Sequence, residues 1–249
     1  MRVGLSLALG LLTVVVQPFR AASVVVQPFR AASSEQPRSQ RLTLHTEDGL
    51  TIAATWYEPS IRPAPAVILV HMLSRSRREW DSFASLLASE GVGALAIDLR
   101  GHGESPGDAG GDLATMLKDV QAARQHLAVR PDVVRTRIGI AGASLGANLA
   151  VLAAADDSSI VSLALLSLSL DYRGLRSEAA MRKYGSRPAL IAFSDDDAYA
   201  NRSAKDLQKA GPGIRELLVL NGAGHGTNML SRSADLTRAL VDWFRRTLQ

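Results

Sequence analysis

The sequence predicts an α/β fold in which helices cover both faces of a mostly parallel, eight-stranded sheet. Short apolar runs and amphipathic helical stretches alternate along the chain, as in successive strand–helix–strand units. Continuous apolar runs such as residues 66–70 are typical of strands that are buried on both faces. The 249 residues, 47% of them hydrophobic, are enough to bury one large core. We therefore expect a single globular domain.

The strands begin with a hairpin. Residues 41–45 and 50–57 alternate apolar with polar residues on either side of an Asp48-Gly49 turn. Apolar runs predict six more strands at residues 66–70, 93–99, 137–141, 160–166, 189–193 and 216–220. Apolar residues at helical spacing predict helices at residues 80–89, 113–128, 145–155, 200–210 and 234–248. Functional groups should collect at the carboxyl ends of the parallel strands.

The first 33 residues differ in composition from the rest of the chain. A short basic start precedes an apolar run at residues 3–16, which has secretory length and is too short to span a bilayer. Residues 14–23 are repeated letter for letter as residues 24–33, so two Ala-Ala-Ser copies offer a cleavage-like site. The expected organisation is a signal peptide-like leader over residues 1–33, a polar linker over 34–40 and the folded domain over 41–249.

This leader predicts an exported protein, periplasmic or secreted, without a stable membrane span once the leader is removed. One alternative is that the leader is retained as an N-terminal anchor. Another is a buried amphipathic helix, which Pro18 and Pro28 disfavour because proline interrupts a helix.

Charge and cysteine content exclude several classes of protein. The chain has 28 Lys and Arg against 24 Asp and Glu, and three of the arginines lie in the leader, which leaves 25 against 24 in the rest. Such a near-neutral domain lacks the positive surface that binds nucleic acid. The absence of cysteine excludes disulfide scaffolds, cysteine-based zinc sites and thiol nucleophiles. We expect no metal and no cofactor.

One Gly-x-Ser-x-Gly motif has the context of a nucleophile elbow. Gly142-Ala143-Ser144-Leu145-Gly146 follows an apolar strand and opens a helix, so Ser144 should stand exposed at the helix N-terminus. An N-cap serine without chemistry is the alternative. The second match, residues 103–107, runs into proline and glycines and predicts a loop.

A serine nucleophile needs a base and an acid that orients it. His225 follows the last strand in a glycine-rich loop that lets its side chain reach over the elbow. Three acids, Asp195, Asp196 and Asp197, follow the preceding strand, and the chain order Ser, Asp, His suits this sheet topology. The other four histidines are expected to be structural, solvated or part of upstream loops: His45, His71, His102 and His126.

Together these motifs resemble the α/β-hydrolase family, specifically small lidless serine esterases related to dienelactone hydrolases and serine aminopeptidases. The resemblance covers residues 41–249 and rests on four segments: Val70-His71, residues 98–105, the elbow at Ser144, and the acid and histidine loops. It implies that Asp197 is the triad acid, with Asp195 as the runner-up.

The oxyanion of the tetrahedral intermediate needs two donors, usually backbone N–H groups. Leu145 supplies one by its position after the nucleophile. The resemblance implies Leu73 as the other, and Met72 is an alternative because it replaces the family's usual glycine.

These expectations favour a serine hydrolase that cleaves a carboxylic ester with a small or exposed acyl group. The segment between the strands at 160–166 and 189–193 is too short for a large cap, so the site should be open. An amidase or exopeptidase with the same triad is the enzyme alternative, and a catalytically silent exported binding module is the non-enzyme one. The expected partner is a small-molecule ester or amide.

Overall fold

The computed structural model describes residues 38–249, so the expected leader and the first part of the expected linker lie outside the described residues. The strands are β1 (Ser39–His45), β2 (Thr51–Tyr57), β3 (Ala64–Val70), β4 (Gly93–Ile97), β5 (Val133–Ala143), β6 (Ile160–Leu166), β7 (Asp171–Tyr172), β8 (Leu175–Arg176), β9 (Ala189–Ser194) and β10 (Arg215–Leu220). The helices are α1 (Asp81–Ser89), α2 (Leu117–Val129), α3 (Leu145–Asp156), α4 (Ser177–Tyr184), α5 (Ala198–Gln208), α6 (Asn228–Arg232) and α7 (Ala234–Thr247).

Eight strands form one sheet in the order β1-β2-β4-β3-β5-β6-β9-β10. β2 runs antiparallel to both of its neighbours, whereas the six strands from β4 to β10 in this order pair in parallel. The eight-stranded, mostly parallel sheet with helices on both faces, expected from the sequence, is confirmed. β7 and β8 form a separate small hairpin.

Two apolar clusters cover the two faces of the sheet. β3 shows the alternation: Ile68 and Val70 pack in the cluster with α2, α3, α4 and α5, while Val67 and Leu69 pack in the cluster with α1 and α7. All four side chains are fully buried because both faces of this central strand are covered. The continuous apolar run in the sequence therefore reflects the two-sided burial of β3.

The structure differs from the expected elements in a few places. β1 begins at Ser39, two residues before the expected start of the folded domain, and β5 begins at Val133. The helix expected from residue 113 starts as a 3-10 turn, Leu113–Met116, before α2. The sequence analysis missed β7, β8, α4 and α6, which are short and lack a long apolar stripe.

The carboxyl ends of β3, β5, β6, β9 and β10 lie along one edge of the sheet because these strands are parallel. The segment between β6 and β9 contains only the β7–β8 hairpin and α4, so no large cap domain covers this edge. Among residues 38–249, no helix is long and apolar enough to cross a membrane.

Candidate active site

Ser144 lies in a strained turn between β5 and α3. Its backbone has φ 50° and ψ −114°, a conformation that a residue with a side chain adopts at a cost of about 1–3 kcal/mol. The Ser144 N–H donates a hydrogen bond to the carbonyl of Leu166 at 2.9 Å, which ties the turn to the end of β6. Only 6% of the residue is exposed, so Ser144 is buried and not exposed as the sequence analysis expected, because the turn packs between the ends of β3 and β6. This geometry is that of a nucleophile elbow.

The two glycines of the motif allow this turn to pack tightly. A Cβ at Gly142 would collide with the carbonyl oxygen of Gly146. A Cβ at Gly146 would collide with the carbonyl oxygens of Val70 and His71, at the end of β3. The first turn of α3 therefore lies backbone against backbone on the end of β3, which no larger residue permits.

His225 and Asp197 form a hydrogen-bonded pair. The imidazole Nδ1 lies 2.6 Å from Asp197 Oδ2. Because an ionised carboxylate only accepts, Nδ1 carries the proton and donates it, which leaves Nε2 as an acceptor. Asp197 Oδ1 also accepts from the N–H of Ala200 at 3.2 Å and so caps α5. The imidazole is 48% exposed and the carboxylate 12% exposed.

The neighbouring acids hold the backbone of the β10–α6 loop, residues 221–227. Asp195 Oδ1 accepts from the N–H of Gly222 at 2.8 Å, and Asp196 Oδ1 accepts from the N–H of Gly224 at 3.1 Å. Asp197 is thus the member of the acidic run that contacts the imidazole. Asp195, the runner-up of the sequence analysis, positions the loop instead.

The end of β6 joins the loop of His225 to the elbow. Ser167 Oγ accepts from the N–H of Gly226 at 2.9 Å, next to the histidine, while the adjacent Leu166 carbonyl holds Ser144. Within residues 38–249, no hydrogen bond joins Ser144 Oγ to the imidazole. The structure thus places the two loops side by side and leaves both reactive atoms unbonded. The sequence analysis missed Ser167, whose signal is a hydroxyl directly after a buried strand.

The β3–α1 loop, residues 71–76, presents one of the expected oxyanion donors. The Met72 N–H donates to Glu79 Oε1 at 2.9 Å, so this alternative donor is already occupied. The N–H groups of Leu73 and Leu145 make no hydrogen bond to any described residue. Both lie where α3 packs on the end of β3. Of the three expected donors, Leu73 and Leu145 are therefore the ones available to an oxyanion.

A buried histidine orients the Leu73 N–H. His71 Nε2 accepts from the N–H of Leu99 at 3.0 Å, so the proton must be on Nδ1, which donates to the Met72 carbonyl at 2.6 Å. The same carbonyl accepts from the Arg75 N–H at 3.2 Å. In a trans peptide the N–H points opposite to the C=O. Two donors on the Met72 carbonyl therefore fix the direction of the Leu73 N–H.

His71 is held in its neutral form. Burial and, to a smaller extent, nearby His102 lower its pKa to about 4, although the Met72 carbonyl and Asp98 act to raise it. Protonation would place a hydrogen on Nε2, facing the N–H of Leu99, so the network requires the uncharged ring.

The remaining singled-out residues have structural surroundings. Ser105, in the second Gly-x-Ser-x-Gly match, is buried, donates to the Asp98 carbonyl and accepts from the Ala53 N–H. His102 is buried with its Nδ1 2.9 Å from the Arg100 carbonyl. His45 is exposed on β1, and His126 is half-buried on α2. In the part of the chain that the structure describes, no group of three or more His, Asp or Glu side chains could hold a metal ion.

An apolar wall flanks the start of α3. Asn148, one turn after Ser144, is fully buried and donates to the Ser169 carbonyl at 2.9 Å and to Ser177 Oγ at 2.8 Å. These bonds hold the chain on either side of the β7–β8 hairpin against the helix. In and beside that hairpin, Leu170 and Tyr172 are half-buried. The hairpin thus offers apolar surface next to α3.

Part of the chain matches a known protein family. The family model described as "Serine aminopeptidase, S33" matches residues 61–183, a range that includes Ser144, Leu73 and Leu145 but neither Asp197 nor His225. An uncharacterized protein of Mycobacterium tuberculosis is 32% identical over 121 residues, which cover 48% of this chain and 42% of that protein. The chain thus spans less than half the length of this curated relative.

Solved structures share the fold. A dienelactone hydrolase from Anabaena variabilis superposes with a TM-score of 0.74 at 18% identity, covering 86% of this chain and 100% of that chain. Est1E from Butyrivibrio proteoclasticus, solved with ferulic acid bound, superposes with a TM-score of 0.72 at 21% identity, covering 83% of this chain and 98% of that chain. At these identities the likeness concerns the fold.

The buried His71 predicts a specific dependence of stability on pH. In the unfolded chain an imidazole binds its proton near pH 6.5, whereas in the folded chain His71 does so near pH 4. Between these values the unfolded state binds more protons, so the contribution of His71 is complete above pH 6.5 and is lost as the pH falls through about 4. The loss should be on the order of 3 kcal/mol.

Urea unfolding of the wild type and of His71→Asn at pH 7 and pH 4.5 measures this contribution. The wild type should lose more unfolding free energy than the variant on acidification. The exposed His45→Asn serves as the matched control and should follow the wild type. Equal losses in the wild type and His71→Asn would show that His71 is not buried in its neutral form.

Proposed function

Because this chain belongs to the α/β-hydrolase family, we propose that it is a serine hydrolase that cleaves a carboxylic ester through an acyl-enzyme intermediate. The observation that carries this proposal is the strained turn at Ser144 on the sheet edge that also holds the hydrogen-bonded Asp197–His225 pair. A serine at a nucleophile elbow, together with a base oriented by a carboxylate, is the arrangement that activates a hydroxyl for acyl transfer.

Acylation begins when Ser144 Oγ attacks the ester carbonyl carbon and His225 Nε2 takes the hydroxyl proton. The carbonyl oxygen becomes an oxyanion, which accepts hydrogen bonds from the Leu73 and Leu145 N–H groups. Asp197 stabilises the imidazolium through Nδ1. Collapse of the intermediate breaks the bond to the alcohol oxygen, which leaves with the proton from His225, and Ser144 stays acylated.

Deacylation repeats these steps with water as the nucleophile. His225 takes a proton from water as its oxygen attacks the acyl carbon, and the same two N–H groups receive the second oxyanion. Collapse returns the proton to Ser144 Oγ and releases the carboxylic acid. Because the imidazole is 48% exposed, water has direct access to the acyl-enzyme.

The surroundings of Ser144 favour a small or exposed acyl group. No large cap lies between β6 and β9, so few walls enclose a long chain. The half-buried Leu170 and Tyr172, in and beside the hairpin that Asn148 holds against α3, are candidates for apolar contact with a short acyl or aryl group. The ferulic acid bound to the structurally similar Est1E is such an aryl acid. The thiol nucleophile of dienelactone hydrolases is excluded here because the chain contains no cysteine.

Amide or peptide cleavage is the second candidate, favoured by the match to the serine aminopeptidase model. The same triad serves both reactions, and the leaving group distinguishes them. An aminopeptidase also needs an acceptor, such as an acidic side chain, for the free amino group of its substrate. Glu79 accepts from Met72, and Asp195 and Asp196 accept from loop N–H groups, so these nearby acids already have partners. We therefore place the ester first.

Export through the leader is a further part of the proposal. The basic start and the apolar run at residues 3–16 support it. Mass spectrometry of the protein recovered from the periplasm or the medium should show an N-terminus after one of the two Ala-Ala-Ser copies. An intact residue 1 on protein that stays with the membrane would favour the retained anchor instead.

Ser144 should be the site of covalent chemistry. A fluorophosphonate probe is expected to label the wild type and to leave Ser144→Ala unlabelled, while Ser105→Ala, which alters the other motif, keeps its labelling. p-Nitrophenyl acetate should be turned over faster than alanine p-nitroanilide. A preference for the anilide would favour the exopeptidase. Well-folded wild type that is neither labelled nor active would identify a silent binding module.

The acid should be Asp197 and not its neighbour. Asp197→Asn removes the charge that stabilises the imidazolium, and turnover should fall by about four orders of magnitude, as for triad acids of serine proteases. Asp195→Asn is the matched control because its amide oxygen still accepts from Gly222. Its turnover should stay within about tenfold of the wild type. The reverse order of losses in p-nitrophenyl acetate hydrolysis would move the acid to Asp195.

A further inference from the structure

Glu79 lies between two loops of the candidate site. It belongs to a short 3-10 turn, Arg77–Trp80, that precedes α1. Its Oε1 accepts from the Met72 N–H at 2.9 Å in the β3–α1 loop, and the side chain of Thr227 in the β10–α6 loop lies close enough to the carboxyl to lower its pKa. Glu79 thus bonds to the residue before Leu73 and lies beside the second residue after His225.

The turn that carries Glu79 is firmly anchored. Trp80 is fully buried, and Arg77 pairs with Asp98, whose side chain is also fully buried. The Glu79 N–H donates to the Ser76 carbonyl at 3.2 Å. Because its neighbours on both sides are fixed, the Glu79 carboxyl acts as a fixed point for the two loops it contacts.

The two loops also touch each other directly. A Cβ at Gly226 would collide with Met72 Sδ, so the thioether lies on the backbone of the residue after His225. Met72 is buried and its carbonyl is held by His71. A shift of Met72 would therefore move both the Leu73 N–H and the backbone beside the imidazole.

Glu79 acts at this position through its hydrogen-bond acceptor atoms and not through its negative charge. Burial raises the pKa of Glu79, while the Met72 N–H, the Thr227 hydroxyl and Arg75 counteract that rise. A negative charge one peptide from an oxyanion donor opposes the oxyanion that forms there. A neutral side chain with the same acceptor should therefore serve at least as well.

We propose that Glu79 is a positioning residue that holds the Leu73 N–H and His225 in their relative positions by accepting from Met72, which packs on Gly226, and by contacting Thr227. This inference rests on the proposed serine hydrolase function. Glu79 touches neither substrate nor reacting atoms. Loss of Glu79 should therefore lower kcat, because the oxyanion donor and the imidazole act together in the chemical step. KM should change little, because Glu79 does not contact the substrate.

Two substitutions separate the acceptor from the charge. Glu79→Ala removes the acceptor and should lower kcat for p-nitrophenyl acetate by about 10- to 100-fold, less than the 10²–10³ that follows complete loss of an oxyanion donor. KM should change by less than about threefold. Glu79→Gln keeps an oxygen that accepts from Met72 and an amide that donates to the Thr227 hydroxyl, so it should restore kcat to at least the wild-type value.

Thr227→Val tests the contact between Thr227 and Glu79. It removes the hydroxyl at nearly constant volume and should lower kcat by a smaller factor than Glu79→Ala. In the double variant the two losses should not multiply, because both substitutions remove the same contact between Glu79 and Thr227. Glu90→Ala is the matched surface control and should behave as the wild type. Glu90 lies just after the far end of α1, and its carboxylate pairs with the exposed Arg245.

The outcomes are distinct. A folded Glu79→Ala with wild-type kcat overturns the inference while the proposed function stands. Equal losses in Glu79→Ala and Glu79→Gln also overturn it, because the charge would then matter and not the acceptor. A loss confined to the thermal midpoint, with unchanged kcat below it, identifies a merely structural anchor. Wild type that neither reacts with a fluorophosphonate nor turns over an ester removes the proposed function, and the inference with it.

Discussion

The close approach of α3 to the end of β3 is the constraint on which the site depends. With a side chain at residue 146, the first turn of α3 would be pushed away from the carbonyl oxygens of Val70 and His71. That contact brings the first turn of α3, which contains Leu145, against the end of β3, from which the loop of Leu73 continues. It also forces Ser144 into a conformation that costs about 1–3 kcal/mol, which the packing on both sides of the turn sustains.

Around this contact, each loop of the site is held by its neighbour. The run of three acids shows the principle, because two members bind loop N–H groups and the third binds the imidazole. The end of β6 holds the elbow through Leu166 and the histidine loop through Ser167. Hydrogen bonds between neighbouring loops thus fix backbone groups that would otherwise be mobile. Such fixed groups preorganise a site before substrate binds.

Pairs of similar motifs show how much context matters. Ser105 and Ser144 share the Gly-x-Ser-x-Gly pattern, yet Ser105 bridges two backbone groups, while the hydroxyl of Ser144 makes no hydrogen bond to a described residue. His71 and His225 both follow strands at the same edge. The ring of His71 is sealed among Leu99, Met72 and His102, whereas that of His225 reaches solvent. Both serines are buried, so hydrogen bonding distinguishes them, whereas burial distinguishes the two histidines.

The sequence by itself determined the strand and helix order, the sheet class and the elbow context of Ser144, because apolar periodicity and flanking glycines are local signals. Only the tertiary structure showed which of Asp195, Asp196 and Asp197 contacts the imidazole, that Glu79 occupies the Met72 N–H and that Ser167 binds the histidine loop. These depend on which donors and acceptors meet across loops far apart in the chain, and a hydrogen bond over such a separation leaves no periodic trace in the sequence.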